Sequence, residues 1–433
     1  MWCFRLPAFR WRRSLVVTIA VLAAGPAGAQ LPEDAAQPAA QDPAPGRVIT
    51  VTWADVVRLV DQHPRVAAGR LGIDAALGAV DAAGAAPNPS LEASVGEGRE
   101  VVGDGSDQEW GLALDVPLGW IVRRESKTAA ARAEVDVARA ESLALRREVL
   151  LELRTLFWTV AYEQARVASL SALERQTAAL VRTVSKRVEV GEVRPVDGPR
   201  AEIELEMVAS ELDAARTTLG SRQAQLARWL GAPAGATVTA AADLTELPLA
   251  IDLGSALERV QADHPALEVA RARVRSLEAA VASERIARAP DFSLLAFGSH
   301  ELDRDAYGIG VSVELPLWSW NAGRIAEAEA ELAAGRLGAE ADARELEAAV
   351  IEVEGACRAA AQTAARFGGA VIPRSQAATA TLERAYELGE TSLLELIDAR
   401  RTLIDTERLH LGALAQAQIE CGRLASLLGE EGS

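Results

Sequence analysis

The sequence predicts a mainly α-helical chain that carries four β-strands, and three observations support this fold class. Helix-forming Ala, Glu, Arg and Leu fill two long stretches, predicted as helices at 121–190 and 321–388. Alternation of large apolar and small or polar residues, with the period of two that strands show, marks 89–118 and 290–317. The same order of elements occurs twice, so the chain is predicted to consist of two repeats.

The repeats are recognised by matching segments about 200 residues apart. GLALDVPL, which begins at Gly111, returns as GVSVELPL from Gly310, and VDQHP, which begins at Val60, returns as QADHP from Gln261. Each repeat is predicted to hold a helix, a β-hairpin, the long helix and, after a glycine turn, a return helix. The return helices are predicted at 195–231 and 391–428. The predicted domains are a first repeat at 51–232, a linker at 233–250 and a second repeat at 251–433.

The first 29 residues have the features of a secretory signal peptide. Four arginines precede the apolar segment SLVVTIAVLAA, and AGA, ending at Ala29, fits a cleavage site between small residues. A short membrane anchor is the alternative, although the apolar run is too short to span a bilayer. The Pro- and Ala-rich residues 30–50 are predicted to form an extended N-terminal leader.

Composition narrows the classes of function. The chain is 49% hydrophobic but only 4% aromatic, which favours long packed helices over a large globular core. Its formal net charge of -17 makes nucleic acid an unsuitable partner. No apolar run of about 18 residues follows the signal peptide, so no transmembrane helix is predicted.

The four predicted strands favour a barrel made by several chains. One chain supplies too few strands to close a barrel, for which about eight are needed. A trimer would supply twelve, an even number suited to a bacterial outer membrane. Aromatic residues at the strand ends would form the membrane-interface belts; these are Trp110, Trp120, Tyr307, Trp318 and Trp320. A soluble β-sandwich face with aromatic edges is the alternative.

These features resemble those of the TolC-like outer-membrane efflux channels. The resemblance covers nearly all of the mature chain and is carried by the repeat order, by VPLGW and LPLWSWNAGR after the hairpins, and by AYELGETSLLELIDAR at the second helical turn. It implies a homotrimer whose twelve-stranded β-barrel lies in outer-membrane lipid and continues into a long periplasmic α-helical barrel. It also implies docking to a periplasmic adaptor protein and to an RND-type pump of the inner membrane.

Within that family, the short external loops, the His-Pro breaks and the PLWSWNAGR segment resemble the heavy-metal-efflux branch, the CzcC-like channels. Heavy-metal cations are therefore the expected cargo, while multidrug efflux and type I secretion stay open. A periplasmic coiled-coil structural protein is an alternative from another class. Apolar strand faces bordered by Trp and Tyr distinguish a membrane channel from that alternative.

The resemblance also assigns candidate site residues to the two helical turns. By position, the adaptor-docking tips are Gly191, Glu192, Gly389 and Glu390. The candidates for a pore constriction are Glu395, Asp398 and Asp197. Glu395 also fits a helix-capping box with Ser392, and Asp398 could simply face water. The Pro-rich segment after Gly191 departs from the second tip, which weakens the prediction for Asp197.

Cys357 and Cys421 each lie 32 residues from Gly389, on opposite arms of the second helical hairpin. An antiparallel pair puts them at equal height, so an oxidising periplasm would allow a disulfide; two free thiols are the alternative. The sequence holds no metal-binding, phosphate-binding or nucleophile motif of recognisable spacing. We therefore expect neither a cofactor nor an enzymatic activity.

Overall fold

The computed structural model describes residues 47–99, 106–233, 235–245, 264–301 and 304–428. The predicted signal peptide, the leader as far as residue 46, and the start of the second repeat up to residue 263 lie outside the described residues. So does the end of the predicted linker, 246–250.

The described part of the chain holds six strands and eight α-helices. The strands are β1 (Val48–Val51), β2 (Ser90–Arg99), β3 (Ser106–Pro117), β4 (Thr237–Ala240), β5 (Asp291–Glu301) and β6 (Arg304–Glu314). The helices are α1 (Trp53–Leu59), α2 (Pro64–Gly84), α3 (Trp120–Glu189), α4 (Asp197–Trp229), α5 (Pro265–Ile286), α6 (Ala322–Arg366), α7 (Ile372–Glu387) and α8 (Leu393–Leu427). A 3₁₀ turn at Val60–Gln62 separates α1 from α2.

Helix α3 is a single helix of 70 residues. It contains neither Gly nor Pro, so nothing interrupts its backbone hydrogen bonds, and it is about 105 Å long. None of the described helices combines the length and the apolar composition needed to cross a membrane.

The second long helix is not continuous, and the prediction of one helix over 321–388 is wrong in this respect. A π-helical segment, Phe367–Val371, separates α6 from α7. Gly368 and Gly369 lie within it, and Pro373 follows at the start of α7. Proline has no N–H, and its ring clashes with the carbonyl four residues earlier, which here belongs to Gly369. The widened turn accommodates this clash.

The two hairpins join into one antiparallel sheet with the order β2-β3-β5-β6. The pairing of β3 with β5 runs from Trp110 opposite His300 to Pro117 opposite Ser293. Strands β2 and β6 are the edges, and neither has a second partner within the described chain. The sheet therefore has unpaired backbone groups on both sides, available to another copy of the chain.

A second, two-stranded sheet was not predicted. Strands β1 and β4 pair in parallel, so the end of the leader and the middle of the linker meet. The side-chain amide of Gln164 in α3 donates to the carbonyl of Ala240 at 3.0 Å and accepts from its N–H at 2.9 Å. The small sheet lies against the largest hydrophobic cluster, which includes Leu153 and Phe157 of α3. It therefore fixes residues 48–51 and 237–240 to the middle of the long helix.

Candidate functional site

The four-stranded sheet has one apolar face that is open to its surroundings. Alternation along the paired strands brings large apolar side chains to this face; they include Leu91, Val95, Leu112, Leu114, Leu294, Ile309, Val311 and Val313. All eight are exposed, up to 87% for Val95. Contiguous exposed apolar surface of this extent is typical of a membrane or protein interface.

The opposite face of the sheet is more polar. It carries Ser94, Asp115, Ser293 and Ser312, and the Ser293 hydroxyl donates to Asp115 Oδ2 at 2.8 Å. The ring of Phe297 covers Gly308, where an added Cβ would lie 2.8 Å from the ring. One apolar and one polar face match the wall of a membrane barrel with a wet interior.

The five predicted interface aromatics lie at two levels of the sheet. Trp110 and Tyr307 lie near the loop ends of the hairpins, and Trp120, Trp318 and Trp320 lie where the chain leaves the sheet for the helices. Tyr307 and Trp318 are about 89% and 93% exposed. Seven strand residues follow each of Trp110 and Tyr307 before its strand ends, and they span about 23 Å along the strand, close to the height of an apolar bilayer band.

At the far end of the helices, Gly191 and Gly389 form two turns of identical geometry. Both glycines have a φ of 76°. The N–H of Glu192 donates to the carbonyl of Arg187 at 2.8 Å, and the N–H of Glu390 donates to that of Ala385 at 2.8 Å. Each turn is a Schellman motif, which requires a left-handed residue at the position of the glycine. The four predicted tip residues thus end α3 and α7 in the same way.

Arg187 joins the two turns, and sequence reasoning missed it. This α3 side chain donates to the carbonyls of Tyr386 at 3.2 Å and Glu387 at 3.1 Å, and it lies 5.5 Å from the centre of the Tyr386 ring. It thereby satisfies the last carbonyls of α7 and places a cation at the negative end of that helix. The sequence shows that the last turn of α3 is basic. It does not show which residues Arg187 contacts.

A hydrophobic cluster holds the four helix ends together beneath the turns. It consists of Leu180, Val184, Ala201, Tyr386, Leu393 and Leu396. Because α3, α4, α7 and α8 all contribute, the two turns lie side by side at one end of the helical region.

Asp197, one of the three predicted constriction residues, is buried in the single chain. It is the first residue of α4 and is 5% exposed. Its carboxylate accepts from Arg194 Nη2 at 3.1 Å and Nε at 3.3 Å. Arg200 Nη1 lies 4.0 Å from Asp197 Oδ1. The charge of this aspartate is therefore largely compensated within the chain.

Glu395 takes part in the capping box that the sequence offered as its alternative role. The Glu395 N–H donates to Ser392 Oγ at 3.3 Å, and the Ser392 N–H donates to Glu395 Oε2 at 3.0 Å. The Thr391 hydroxyl makes a further, short hydrogen bond to the same carboxylate. This bond, followed by those from Ser392, lowers the pKa of Glu395 below its ordinary value. The side chain stays exposed, so capping does not prevent it from facing a channel.

Asp398 lies one turn further along α8 and is exposed. Within the described chain its carboxylate forms no ion pair, whereas the next two charged residues do. Arg400 Nε donates to Glu383 of α7 at 3.0 Å, and Arg401 Nε donates to Glu204 of α4 at 2.9 Å. The hydrogen bond to Glu204 raises the pKa of Arg401 above its ordinary value. Glu395 and Asp398 therefore form an exposed acidic face on α8. The neighbouring residues Arg400 and Arg401 link α8 to α7 and α4 by ion pairs.

Cys357 of α6 and Cys421 of α8 are joined by a disulfide, with their Cα atoms 4.7 Å apart. The bond crosses a hydrophobic cluster that includes Val353 and Leu424. Among the described residues, no group of three or more His, Cys, Asp or Glu side chains could hold a metal ion.

Comparison with known proteins identifies the family. The model of the outer membrane efflux protein family matches residues 56–232 and 256–430. This chain belongs to that family. The recognition as a TolC-like efflux protein is confirmed.

Among curated proteins, the chain is 27% identical over 402 residues to the cobalt-zinc-cadmium resistance protein CzcC of Cupriavidus metallidurans, covering 86% of this chain and 93% of CzcC. Among solved structures, it is similar to a membrane protein from Pseudomonas aeruginosa, with a TM-score of 0.74, 20% identity and coverage of 87% and 92% of the two chains. It is also similar to the channel CusC, with a TM-score of 0.72, 16% identity and coverage of 87% and 91%.

These structural likenesses confirm the predicted fold class at the level of one chain, a mainly helical TolC-like fold with a small strand sheet. The family places the chain in the outer membrane of a Gram-negative cell, with its helices in the periplasm. The chain is an efflux component rather than an enzyme.

Proposed function

We propose that three copies of this chain form the outer-membrane channel of a tripartite efflux system that exports heavy-metal cations. In this proposal the twelve strands close a barrel in the membrane, and the helices continue the channel into the periplasm. The observation that carries it is the open apolar face of a sheet whose two edge strands are unpaired. Closing the ring by pairing β2 of one copy with β6 of the next removes both edges and turns the apolar face to lipid.

The tips supply the constriction in this proposal. Glu395 and Asp398 are exposed on one face of α8, and three copies would bring six of these carboxylates around one axis. Such a ring attracts cations and repels anions. Asp197 is proposed as a secondary constriction residue only, because Arg194 already pairs with it.

The proposed partners are a periplasmic adaptor protein and an RND-type pump of the inner membrane. The adaptor would dock at the two glycine turns, Gly191–Glu192 and Gly389–Glu390, which lie at the end of the helices remote from the sheet. The name of the relative CzcC, a cobalt-zinc-cadmium resistance protein, supports metal cations as cargo. The acidic net charge of the chain is consistent with that cargo.

The test combines mass and conductance. The mature protein, purified in detergent, is expected to have the mass of three chains and to form cation-selective channels in a planar bilayer. A monomer without channel activity would end the proposal. The double variant Glu395→Ala with Asp398→Ala is expected to weaken cation selectivity and to raise leak conductance. A matched control is Glu387→Ala with Glu390→Ala, which also removes two exposed tip acids but lies outside the proposed ring.

Cargo needs a separate measurement. A strain that lacks this chain is expected to become more sensitive to Co²⁺, Zn²⁺ and Cd²⁺ than to lipophilic drugs. Restoring the wild-type chain from a plasmid should restore resistance. A strain that loses drug resistance and keeps metal resistance would instead support multidrug efflux.

A further inference from the structure

In the tip region, α4 and α7 are the two outer helices of the chain. Helix α4 packs on α3, α3 packs on α8, and α8 packs on α7. Among the described residues α4 and α7 do not pack on each other. Each therefore has one face in the chain's own core and one face turned away from it.

The outward face of α4 carries a regular stripe at coiled-coil spacing. Its residues follow each other by four, three and four positions, and all are exposed. This α4 stripe consists of Ile203, Met207, Ser210 and Ala214. Met207 lies at its edge, where the Sδ atom accepts from Arg401 Nη2 of α8 at 3.4 Å while half of the side chain stays exposed. The buried residues of α4 lie on the opposite side of the helix, at about 100° per residue. They include Ala201, Val208, Leu212 and Ala215.

Helix α7 has a matching stripe on its own outward face. The spacing is three, four, three and four, which again is a coiled-coil seam. This α7 stripe consists of Arg374, Ala377, Thr381, Arg384 and, just after the helix end, Leu388; all five are exposed. The buried residues Thr379 and Tyr386 lie on the opposite side.

The two stripes are complementary in size and in charge. The α4 stripe has the large side chains Ile203 and Met207, and the middle of the α7 stripe has the small ones Ala377 and Thr381. Large side chains of one helix fit between small ones of another. Two acids, Glu202 and Glu206, border the α4 stripe, whereas the α7 stripe contains two arginines, Arg374 and Arg384.

These four charged residues form no ion pair within the described part of the chain, although inward-facing neighbours such as Glu204 and Glu383 do. Arg384 Nε donates to the carbonyl of Ala380 in its own helix at 3.3 Å. The unpaired charges of both signs thus lie on the two outward faces.

The stripes also agree in height above the tips. Met207 lies ten residues after the start of α4 at Asp197, and Ala377 lies ten residues before the end of α7 at Glu387. Glu202 and Arg384 lie five and three residues from the same ends, which is a difference of about 3 Å along the axes. Because α4 and α7 run in opposite directions, an antiparallel contact brings these pairs together.

We propose that the α4 stripe of one copy packs against the α7 stripe of a second copy, with Glu202 and Arg384 forming an ion pair between the copies. This inference rests on the proposed function, because it names the surfaces by which copies of the channel meet near the tips. The contact is heterologous, so it repeats around a closed ring. Since the α7 side of this contact offers mainly small side chains and charges, the contact is weaker than the leucine-rich contacts inside each chain.

The test uses two variants that each gain one cysteine, Met207→Cys and Ala377→Cys. The two variants carry different tags and are expressed together. The native disulfide occupies the other two cysteines of the mature chain, so oxidation of the mixed oligomer reports only on the new thiols. A disulfide forms only when the Cα atoms lie within about 7 Å. We expect a covalent dimer that carries both tags, and no dimer when either variant is expressed alone.

The matched control replaces Ala377→Cys by Gln376→Cys. This exposed neighbour lies at the same height but points about 100° away, and we expect little cross-linking. Equal yields from both pairs would overturn the proposed register. The mass in detergent separates the two proposals: a trimer without the 207–377 cross-link overturns this inference alone, and a monomer overturns both.

Charge reversal tests the ion pair. Adding Glu202→Arg to the Met207→Cys chain places a second positive charge opposite Arg384 of the other copy. Because the two charges repel each other, we expect the cross-linked yield to fall about threefold. Adding Arg384→Glu to the Ala377→Cys chain should restore the yield. An unchanged yield with Glu202→Arg, or no recovery in the double reversal, would remove Glu202 and Arg384 from the interface.

Discussion

The two repeats have the same plan but differ in the continuity of the long helix, in covalent linkage and in the exposure of the tip acids. In the first, α3 is one unbroken helix, and its tip charge, Asp197, is buried beside Arg194. In the second, a π-helical segment interrupts the corresponding helix, a disulfide crosses the hairpin, and Glu395 and Asp398 are exposed. The first repeat therefore has a continuous long helix. The second repeat has the π-helical break, the disulfide and the exposed acids Glu395 and Asp398.

The largest effect is expected in the strands, where the repeats are most alike. Val311→Asp with Val313→Asp puts charge on the apolar face of β6, and we expect loss of outer-membrane assembly, because each charge in lipid costs up to a few kcal/mol. The measurement is the fraction of protein recovered in outer membranes.

Two variants complete that experiment. Val95→Asp in β2 should have the same effect in the first repeat, while Ser312→Asp, on the polar face of β6, should assemble normally. Normal assembly of the Val311 and Val313 variant would mean that the apolar face does not contact lipid.

The disulfide distinguishes the second repeat, since Thr159 and Gln223 occupy the corresponding places in the first. Replacing Cys357 and Cys421 by Ser is expected to lower the free energy of unfolding by about 2–4 kcal/mol. Thermal unfolding in detergent measures the change. A reductant should destabilise the wild type by a similar amount and leave the double variant unaffected.

The glycine turns should respond alike in both repeats. Gly191→Ala and Gly389→Ala each place a Cβ on a residue with a φ of 76°, which costs about 1 kcal/mol. Neither added Cβ meets another atom within 4 Å, so the backbone alone causes the loss. Clearly unequal losses of thermal stability would show that the turns are not equivalent in the assembled protein.

The smallest effect is a pH dependence at the second tip. Because the hydrogen bonds of Glu395 lower its pKa in the folded chain, they stabilise the start of α8 above the ordinary carboxyl value of 4.5. That stabilisation is lost as the pH falls through the lower folded value. Hydrogen exchange of the first turn of α8 should quicken at acid pH, after correction for the intrinsic rate. Thr391→Ala with Ser392→Ala removes both hydroxyl hydrogen bonds to Glu395 and should reduce the difference.

Several elements follow from local sequence and were within reach of prediction. The hairpins follow from alternation with a period of two, and α3 follows from 70 residues without Gly or Pro. The turns at Gly191 and Gly389 follow from the need for a left-handed residue after a helix. The capping box of Ser392 with Glu395 is likewise local, because its two partners are three residues apart.

Other features depend on residues that are distant in sequence. The sequence suggested the family and listed Glu395, Asp398 and Asp197 together as constriction candidates, but only the fold shows that Asp197 is buried by Arg194 while the other two are open. Arg187 caps α7 by donating to the carbonyls of Tyr386 and Glu387, which follow it in the sequence by 199 and 200 positions. No local pattern predicts this contact.

The sequence by itself determined the repeats, the helices, the hairpins and the glycine turns, since each depends on contacts between near neighbours in the chain. Only the tertiary structure decided the parallel pairing of β1 with β4, the bond between Cys357 and Cys421, and which charges are paired. These depend on how whole helices pack against one another. The packing fixes which side chains meet across hundreds of residues, and the sequence pattern of any single helix leaves that open.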